Sequence, residues 1–444
     1  MVGRMSVRST SELVTVINKI IGYENNYSND NNWLNNAALV GDPYDSGIST
    51  VITNQYIEEI MEIHGGITDV RTKYTGSNFD GFMRDQMNDG VAFLNYRGFY
   101  GFSNFNSSDV DQLNNGYKLP YLMTLTCDTG SFSEMTKCIA EDLFSAGSSV
   151  SPKGAVAVVA TAQPYTHTAF NNIVTMGMYE GIFIDEVSTA GESLVYGKLA
   201  LNEIYPQNPN DNVYLFSTWN NLLGDPSMHL WTSSPKSLFV QHNQLLINGS
   251  NNFSVSIIDN HGYHVEGVKV TLLKQDVNGN DEIFISTLTN SMGIADFYLD
   301  NYTSGTVHVT SWGQNYLPEE TTFEISQDLP ELVLNDDSII IADAGNADGY
   351  WNQGEEVNLS LSLDNNSNTT LEDLNMEISS LSSYVNVIST PSSLGNLSSN
   401  GTLNIDNIVL ETINNIPYGE SPNLRLTIFP NSDDLLWNYI VPID

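Results

Sequence analysis

Tyr121-Leu-Met-Thr-Leu-Thr-Cys127-Asp-Thr-Gly-Ser-Phe132 is the stretch on which the fold turns. An apolar run leaves Pro120 and stops at one cysteine, and a polar, glycine-containing turn follows. A parallel strand buried on both faces reads as such a run. The carboxyl end of a strand is where an open α/β sheet places its chemistry. A helical pattern from Glu134 to Phe144 comes next. It would set the Cys127 thiol ahead of a helix N-terminus, whose dipole favours the thiolate. Two readings of Cys127 stay open at this point: a nucleophile, or a buried structural thiol, the commoner fate of a free cysteine.

Outward from this strand, residues 1–234 alternate strand and helix. Ser9 to Tyr23 and Ile52 to His64 have helical spacing, as do Phe79 to Asn88, Val187 to Tyr205 and Tyr214 to Leu223. Ala37 to Asp42, Asp69 to Tyr74, Gly90 to Tyr96 and Gly154 to Thr161 read as strands, and Met228 to Trp231 closes the unit. This alternation predicts a mostly parallel sheet with helices on both faces. Its strands at Val91, Leu122 and Val156 should be neighbours, because short connections join them. After Pro235 the pattern changes to short alternating runs between Asn-Gly turns. Residues 235–326 and 331–444 are therefore expected to be two all-β sandwiches of immunoglobulin type.

The totals exclude several functions. The 444 residues carry 53 acidic against 15 basic side chains, a formal charge of -38. Nucleic acid and anionic membranes need clustered Lys and Arg, so both are set aside as partners. Two cysteines, Cys127 and Cys138, cannot make a disulfide framework. No apolar window is long enough to span a membrane. The opening Met-Val-Gly-Arg-Met-Ser has no signal-peptide pattern. It reads as the end of a strand entering a helix, the expectation for a fragment of a longer chain.

Several landmarks, in order, resemble the gingipain family of cysteine endopeptidases. They are Val2-Gly-Arg-Met-Ser-Val7, Trp33 through Asp42, Gly90 through Gly98, Thr126-Cys127 with Cys138-Ile-Ala-Glu141, Gly154 to Thr161, and Leu223-Gly-Asp-Pro-Ser-Met-His-Leu230. The resemblance covers roughly residues 1–233. It implies a caspase-like α/β fold, Cys127 as nucleophile, protein or peptide substrates, no catalytic cofactor, and a secreted or cell-surface location. It also implies that the turn after the Gly90 strand delivers a catalytic histidine in the pattern Tyr-x-Gly-His-Gly. This chain reads Tyr96-Arg97-Gly98-Phe99-Tyr100-Gly101. Phe99 stands at the histidine position and cannot accept a proton. By the same resemblance, Gly98 and Tyr100 form the oxyanion turn, with the backbone N–H of Tyr100 as the donor.

Another imidazole would have to serve a Cys–His pair. Four of the seven histidines, His242, His261, His264 and His308, lie in the first β-domain. His229 reads as packing on the closing strand, and His64 ends a helix. His167 follows the strand beside that of Cys127 and leaves the sheet at the same edge, so it is the candidate substitute base, against the alternative of a pocket-wall residue. The opposing function is a catalytically inactive caspase-like scaffold used for binding at a cell surface, with Phe99 as the mark of lost chemistry.

One further cluster stands apart. Asp336-Asp337 and Asp343-Ala-Gly-Asn346-Ala-Asp348-Gly-Tyr-Trp-Asn-Gln-Gly-Glu355 place oxygen ligands and glycines in one turn. Calcium takes such ligands. The candidate set is Asp337, Asp343, Asn346, Asp348 and Glu355, with a plain acidic hairpin as the alternative.

Overall fold

The computed structural model describes all residues except 29, 65, 134–135, 301, 346–350, 414–415, 417–420, 432–434 and 444. The chain divides into two compact units, Met1–Lys236 with Gln314–Leu317, and Ser237–Gly313 with Pro318–Asp444.

The first unit is built on a six-stranded sheet. Its strands are β1 (Asn36–Gly41), β2 (Asp69–Lys73), β3 (Phe93–Arg97), β4 (Tyr121–Thr124), β7 (Ala157–Thr161) and β8 (Asn220–Leu223). A small hairpin, β5 (Gly147–Ser148) and β6 (Ser151–Pro152), stands apart from it. The sheet order is β2-β1-β3-β4-β7-β8, parallel throughout except for the antiparallel β7–β8 pair. Leu94 pairs with Leu122, and Leu122 with Val158, so the three central strands are neighbours in register. Every residue of β3, β4 and β7 is buried. That is why β4 and β7 read as nearly continuous apolar runs; β3 carries the buried polar residues Asn95 and Arg97 among its apolar ones.

The helices are α1 (Thr10–Glu24), α2 (Ser49–His64), α3 (Phe79–Asp89), α4 (Ser107–Asp111), α5 (Ile139–Ser145), α6 (Thr168–Phe183), α7 (Ala190–Ile204) and α8 (Asn212–Trp219). The chain runs from β1 through α2 outward to β2, then back through α3 to β3 on the other side of β1. Right-handed crossovers therefore place α2 on one face and α3 to α5 on the other. Ser9 starts α1 by accepting a hydrogen bond from Glu12 N–H at 3.1 Å, and Val16, Ile20 and Tyr23 are buried along its inner side.

Several elements differ from expectation: α6 has no counterpart in the sequence reading, α7 starts at Ala190 and not Val187, α2 starts at Ser49 and not Ile52, and Met228–Trp231 makes an isolated bridge between Thr189 and His229 and no closing strand. The segment expected to be helical from Glu134 has its described helix only at Ile139, where Cys138 is the N-cap; residues 134 and 135 lie outside the described residues. The Tyr214–Leu223 pattern breaks at Trp219, and Asn220–Leu223 becomes a strand. Pairing with β7 decides this: Leu223 sits against Val158, and the buried Asn220 accepts a hydrogen bond from Thr161 Oγ1 at 2.8 Å. Tertiary pairing outweighs local helical spacing over so few residues.

The second unit is all β. Its first block holds a five-stranded and a three-stranded sheet, and its second block two four-stranded sheets. The two four-stranded sheets share one apolar core that includes Leu359, Leu363, Leu426, Trp437 and Tyr439.

Candidate active site

The carboxyl ends of β3 and β4 build the site. Three residues past β4, Cys127 lies in a tight turn and is 7% exposed. Asp128 takes a left-handed backbone (φ 70°), a conformation Asp tolerates better than most residues, and its N–H donates to the Gln163 carbonyl at 3.0 Å. Past β3, Tyr100 pairs with Cys127 in an isolated parallel bridge, and Gly101 N–H donates to the Cys127 carbonyl at 2.9 Å. The turn holding Gly98, Phe99 and Tyr100 is thus laid alongside the nucleophile position. Gly98 permits its path: a Cβ there would meet the Tyr96 hydroxyl oxygen at 2.2 Å. The Tyr100 hydroxyl donates to Asp128 Oδ2 at 2.9 Å, and this bond, ahead of burial and of the nearby Asp128 and Cys127 charges, raises the phenol's pKa.

Phe99 occupies the turn with 52% of its surface exposed. Tyr100 and Tyr165 are also exposed. The site is therefore rimmed by aromatic side chains.

The Cys127 sulfur lies 3.0 Å from Thr166 Oγ1 and 3.7 Å from the Thr166 carbonyl oxygen. His167 is the next residue, so its loop does reach this edge. The imidazole, however, caps α6: Nδ1 accepts the Ala169 N–H at 3.2 Å. That bond requires an unprotonated Nδ1 and leaves the ring proton on Nε2. Among the described residues α5 starts at Ile139, twelve residues past Cys127, with its N-cap at Cys138.

Several residues that sequence reasoning passed over lie here. Arg97 is completely buried at the end of β3. Its guanidinium donates from Nε to Asn172 Oδ1 at 2.9 Å, from Nη1 to Thr126 Oγ1 at 3.4 Å, and from Nη2 to the Thr168 carbonyl at 3.3 Å. Burial lowers its pKa to about 10, with Tyr96 and Cys127 acting in the opposite direction. Thr161, Asn171 and Asn220 form a buried polar set behind Thr166. The signal for them was an arginine closing an apolar strand, and an Asn171-Asn172 pair inside an otherwise apolar helix.

The calcium candidates are in the second unit. The Asp343 carboxylate accepts from Gly345 N–H at 2.8 Å, and Glu355 from Asn352 N–H at 2.8 Å. Asp337 is exposed beside a register break in its strand. Asn346 and Asp348 lie outside the described residues.

Among the described residues no helix is long and apolar enough to cross a membrane. The crystal structure of the Arg-specific cysteine proteinase gingipain R superposes with a TM-score of 0.63, covering 73% of this chain and 74% of that one at 23% identity, a likeness that carries the fold. Gingipain R2 and gingipain R1 of Porphyromonas gingivalis are each 27% identical over 256 residues, 54% of this chain. The chain spans 34% and 25% of the length of those two relatives. A family model described as peptidase family C25 matches residues 1–231, and with the strand order and the Cys127 turn in place the chain belongs to that family.

Proposed function

We infer that the first unit is a cysteine-type endopeptidase that attacks peptide bonds with the Cys127 sulfur. The observation that carries this reading is the position of Cys127 at the carboxyl end of β4, bridged to the Tyr100 turn and hydrogen-bonded at its sulfur to Thr166. Sulfur attack on a substrate carbonyl would leave the oxyanion beside the 98–101 turn, where the Tyr100 N–H is the donor suggested by the family pattern. His167 remains the candidate proton carrier for the leaving amine, and it must give up its helix cap to act. Protein or peptide substrates and a secreted or cell-surface location follow from the gingipain relatives. The two all-β blocks that follow the peptidase unit in sequence are read as immunoglobulin-like sandwiches, the second steadied by calcium held by the Asp343 and Glu355 region.

The test is proteolysis of an unfolded protein substrate by wild type and by Cys127→Ala, with new N-termini identified by mass spectrometry. Cleavage that Cys127→Ala abolishes supports the reading; identical cleavage patterns from both proteins end it.

A second reading is favoured by the aromatic rim. Phe99, Tyr100 and Tyr165 are more exposed than aromatic side chains usually are. A peptide-binding scaffold that no longer cleaves would use such a surface. It predicts peptide binding of equal strength by wild type and Cys127→Ala, with no hydrolysis by either.

A further inference from the structure

Arg97 is a buried cation with neutral hydrogen-bond partners. Among the described residues its partners are an amide oxygen, a hydroxyl and a backbone carbonyl, and none is a carboxylate. Burying an unpaired charge costs far more than burying a paired one. A fold that keeps Arg97 at 0% exposure beside Thr126-Cys127 therefore calls for an anion close by. Two ionisable groups lie within its electrostatic reach, Tyr96 and Cys127; burial raises the Tyr96 phenol's pKa, which leaves the Cys127 sulfur as the group that can become one.

The hydrogen bonds behind Thr166 run in one direction. Thr161 Oγ1 donates to Asn220 Oδ1 at 2.8 Å, and Asn220 Nδ2 donates to Asn171 Oδ1 at 3.2 Å. Asn171 Nδ2 donates to Thr166 Oγ1 at 3.2 Å. With that lone pair taken, the Thr166 hydroxyl has its own hydrogen free for the sulfur 3.0 Å away. Each link polarises the next, which strengthens the last bond.

We propose that Arg97 and the Thr161–Asn220–Asn171–Thr166 chain are positioning residues that hold Cys127 as a thiolate, taking over the electrostatic part of the role that a histidine at position 99 would have. This rests on the reading of Cys127 as nucleophile but not on cleavage itself. Asp128 is a like charge and opposes the thiolate. The Thr166 carbonyl at 3.7 Å suits the protonated thiol. Tyr100 gives its hydroxyl hydrogen to Asp128, Tyr165 is exposed, and His167 spends Nδ1 on the α6 cap. Against one exposed-side carboxylate and one carbonyl stand a fully buried guanidinium and a charge-assisted hydroxyl bond. The buried guanidinium outweighs Asp128, because water screens the partly exposed Asp128 more than it screens Arg97.

The readout is thiolate absorbance in the ultraviolet, taken as the difference between the protein and its Cys127→Ser form across neutral pH. It needs no reagent to reach the sulfur, and Cys138 cancels. An ordinary thiol is only a few per cent ionised at pH 7. Wild type should show a thiolate fraction several-fold higher. Thr166→Val should move the profile to higher pH by about one to two units, the size of one hydrogen bond to a charged acceptor, and Thr166→Ser should restore it. Arg97→Met should move it in the same direction. Thr166 is only half-buried, so its variants keep the test valid if Arg97→Met does not fold. A wild-type profile like that of a free thiol, or one that Thr166→Val leaves in place, overturns the proposal whether or not the protein cleaves peptides. A raised thiolate fraction without cleavage upholds it while removing the peptidase reading.

Discussion

Restoring an imidazole at position 99 tests how much of a working peptidase site the turn still holds. Phe99 is 52% exposed, so Phe99→His removes little buried surface. The change should cost the fold less than about 1 kcal/mol, as substitutions at exposed sites do. The backbone that would carry the imidazole is already fixed by the Tyr100–Cys127 bridge and the 2.9 Å bond from Gly101 N–H to the Cys127 carbonyl. A positioned general base contributes about 10²- to 10⁴-fold. That corresponds to roughly 2.7 to 5.5 kcal/mol of transition-state stabilisation. The assay is kcat/KM on a panel of fluorogenic peptides for wild type, Phe99→His and Phe99→His with Cys127→Ala. The expected result is a gain near the lower end of that range, because Arg97 and Thr166 already supply charge stabilisation. The gain should depend on Cys127, with a new limb in the pH profile near the ordinary imidazole value of about 6.5. A gain below about threefold in a variant that melts like wild type would refute the reasoning that the 98–101 turn retains catalytic geometry.

Glu141 ties the N-terminal segment to α5 by accepting from Ser6 Oγ, from Arg8 Nη2 at 3.0 Å and from Cys138 N–H at 3.0 Å. Glu141→Ala should cost about 2 to 4 kcal/mol, discounted because Arg8 is partly exposed, and lower the melting temperature of the first unit by several degrees. Burial pushes the Glu141 carboxyl up, but the Ser6 hydroxyl, the Cys138 N–H and Arg8 together bring it below its usual value. Its stabilisation is therefore complete above the ordinary carboxylate range and is lost as pH falls through the depressed value; urea melts that lose stability with acid equally in wild type and Glu141→Ala would contradict this. Gly98→Ala brings a Cβ onto the ring of Tyr96, which is buried against Phe102 with centroids 4.9 Å apart. It should destabilise by about 1 to 3 kcal/mol, and an unchanged melting curve would count against the close packing described. Chelation should lower the melting midpoint of the second unit if the Asp343–Glu355 turn holds calcium; an identical midpoint with and without chelator removes that role.

The sequence alone determined the sheet and the place of its nucleophile candidate. Mainly apolar runs at Gly90–Tyr96, Tyr121–Thr124 and Ala157–Thr161 point to buried parallel strands, and polar turns mark where each one ends. Hydrophobic periodicity is a local property, so strands and most helices are legible from it. It misjudged Asn220–Leu223, which β7 captures as a strand, and Met228–Trp231, which makes only an isolated bridge between Thr189 and His229; it also left out α6 and placed the start of α5 before Ile139. The electrostatics of the site could not be read in this way. Thr126, Thr161, Thr166, Asn171, Asn172 and Asn220 are small polar residues of the kind found in any loop or cap, and Arg97 in sequence is only the residue before a glycine. Their meaning comes from burial and from which donor faces which acceptor across three strands and a helix. Hydrogen bonds depend on distance and direction to within fractions of an ångström, and only the tertiary structure brings residues 97, 127, 166 and 220 that close together.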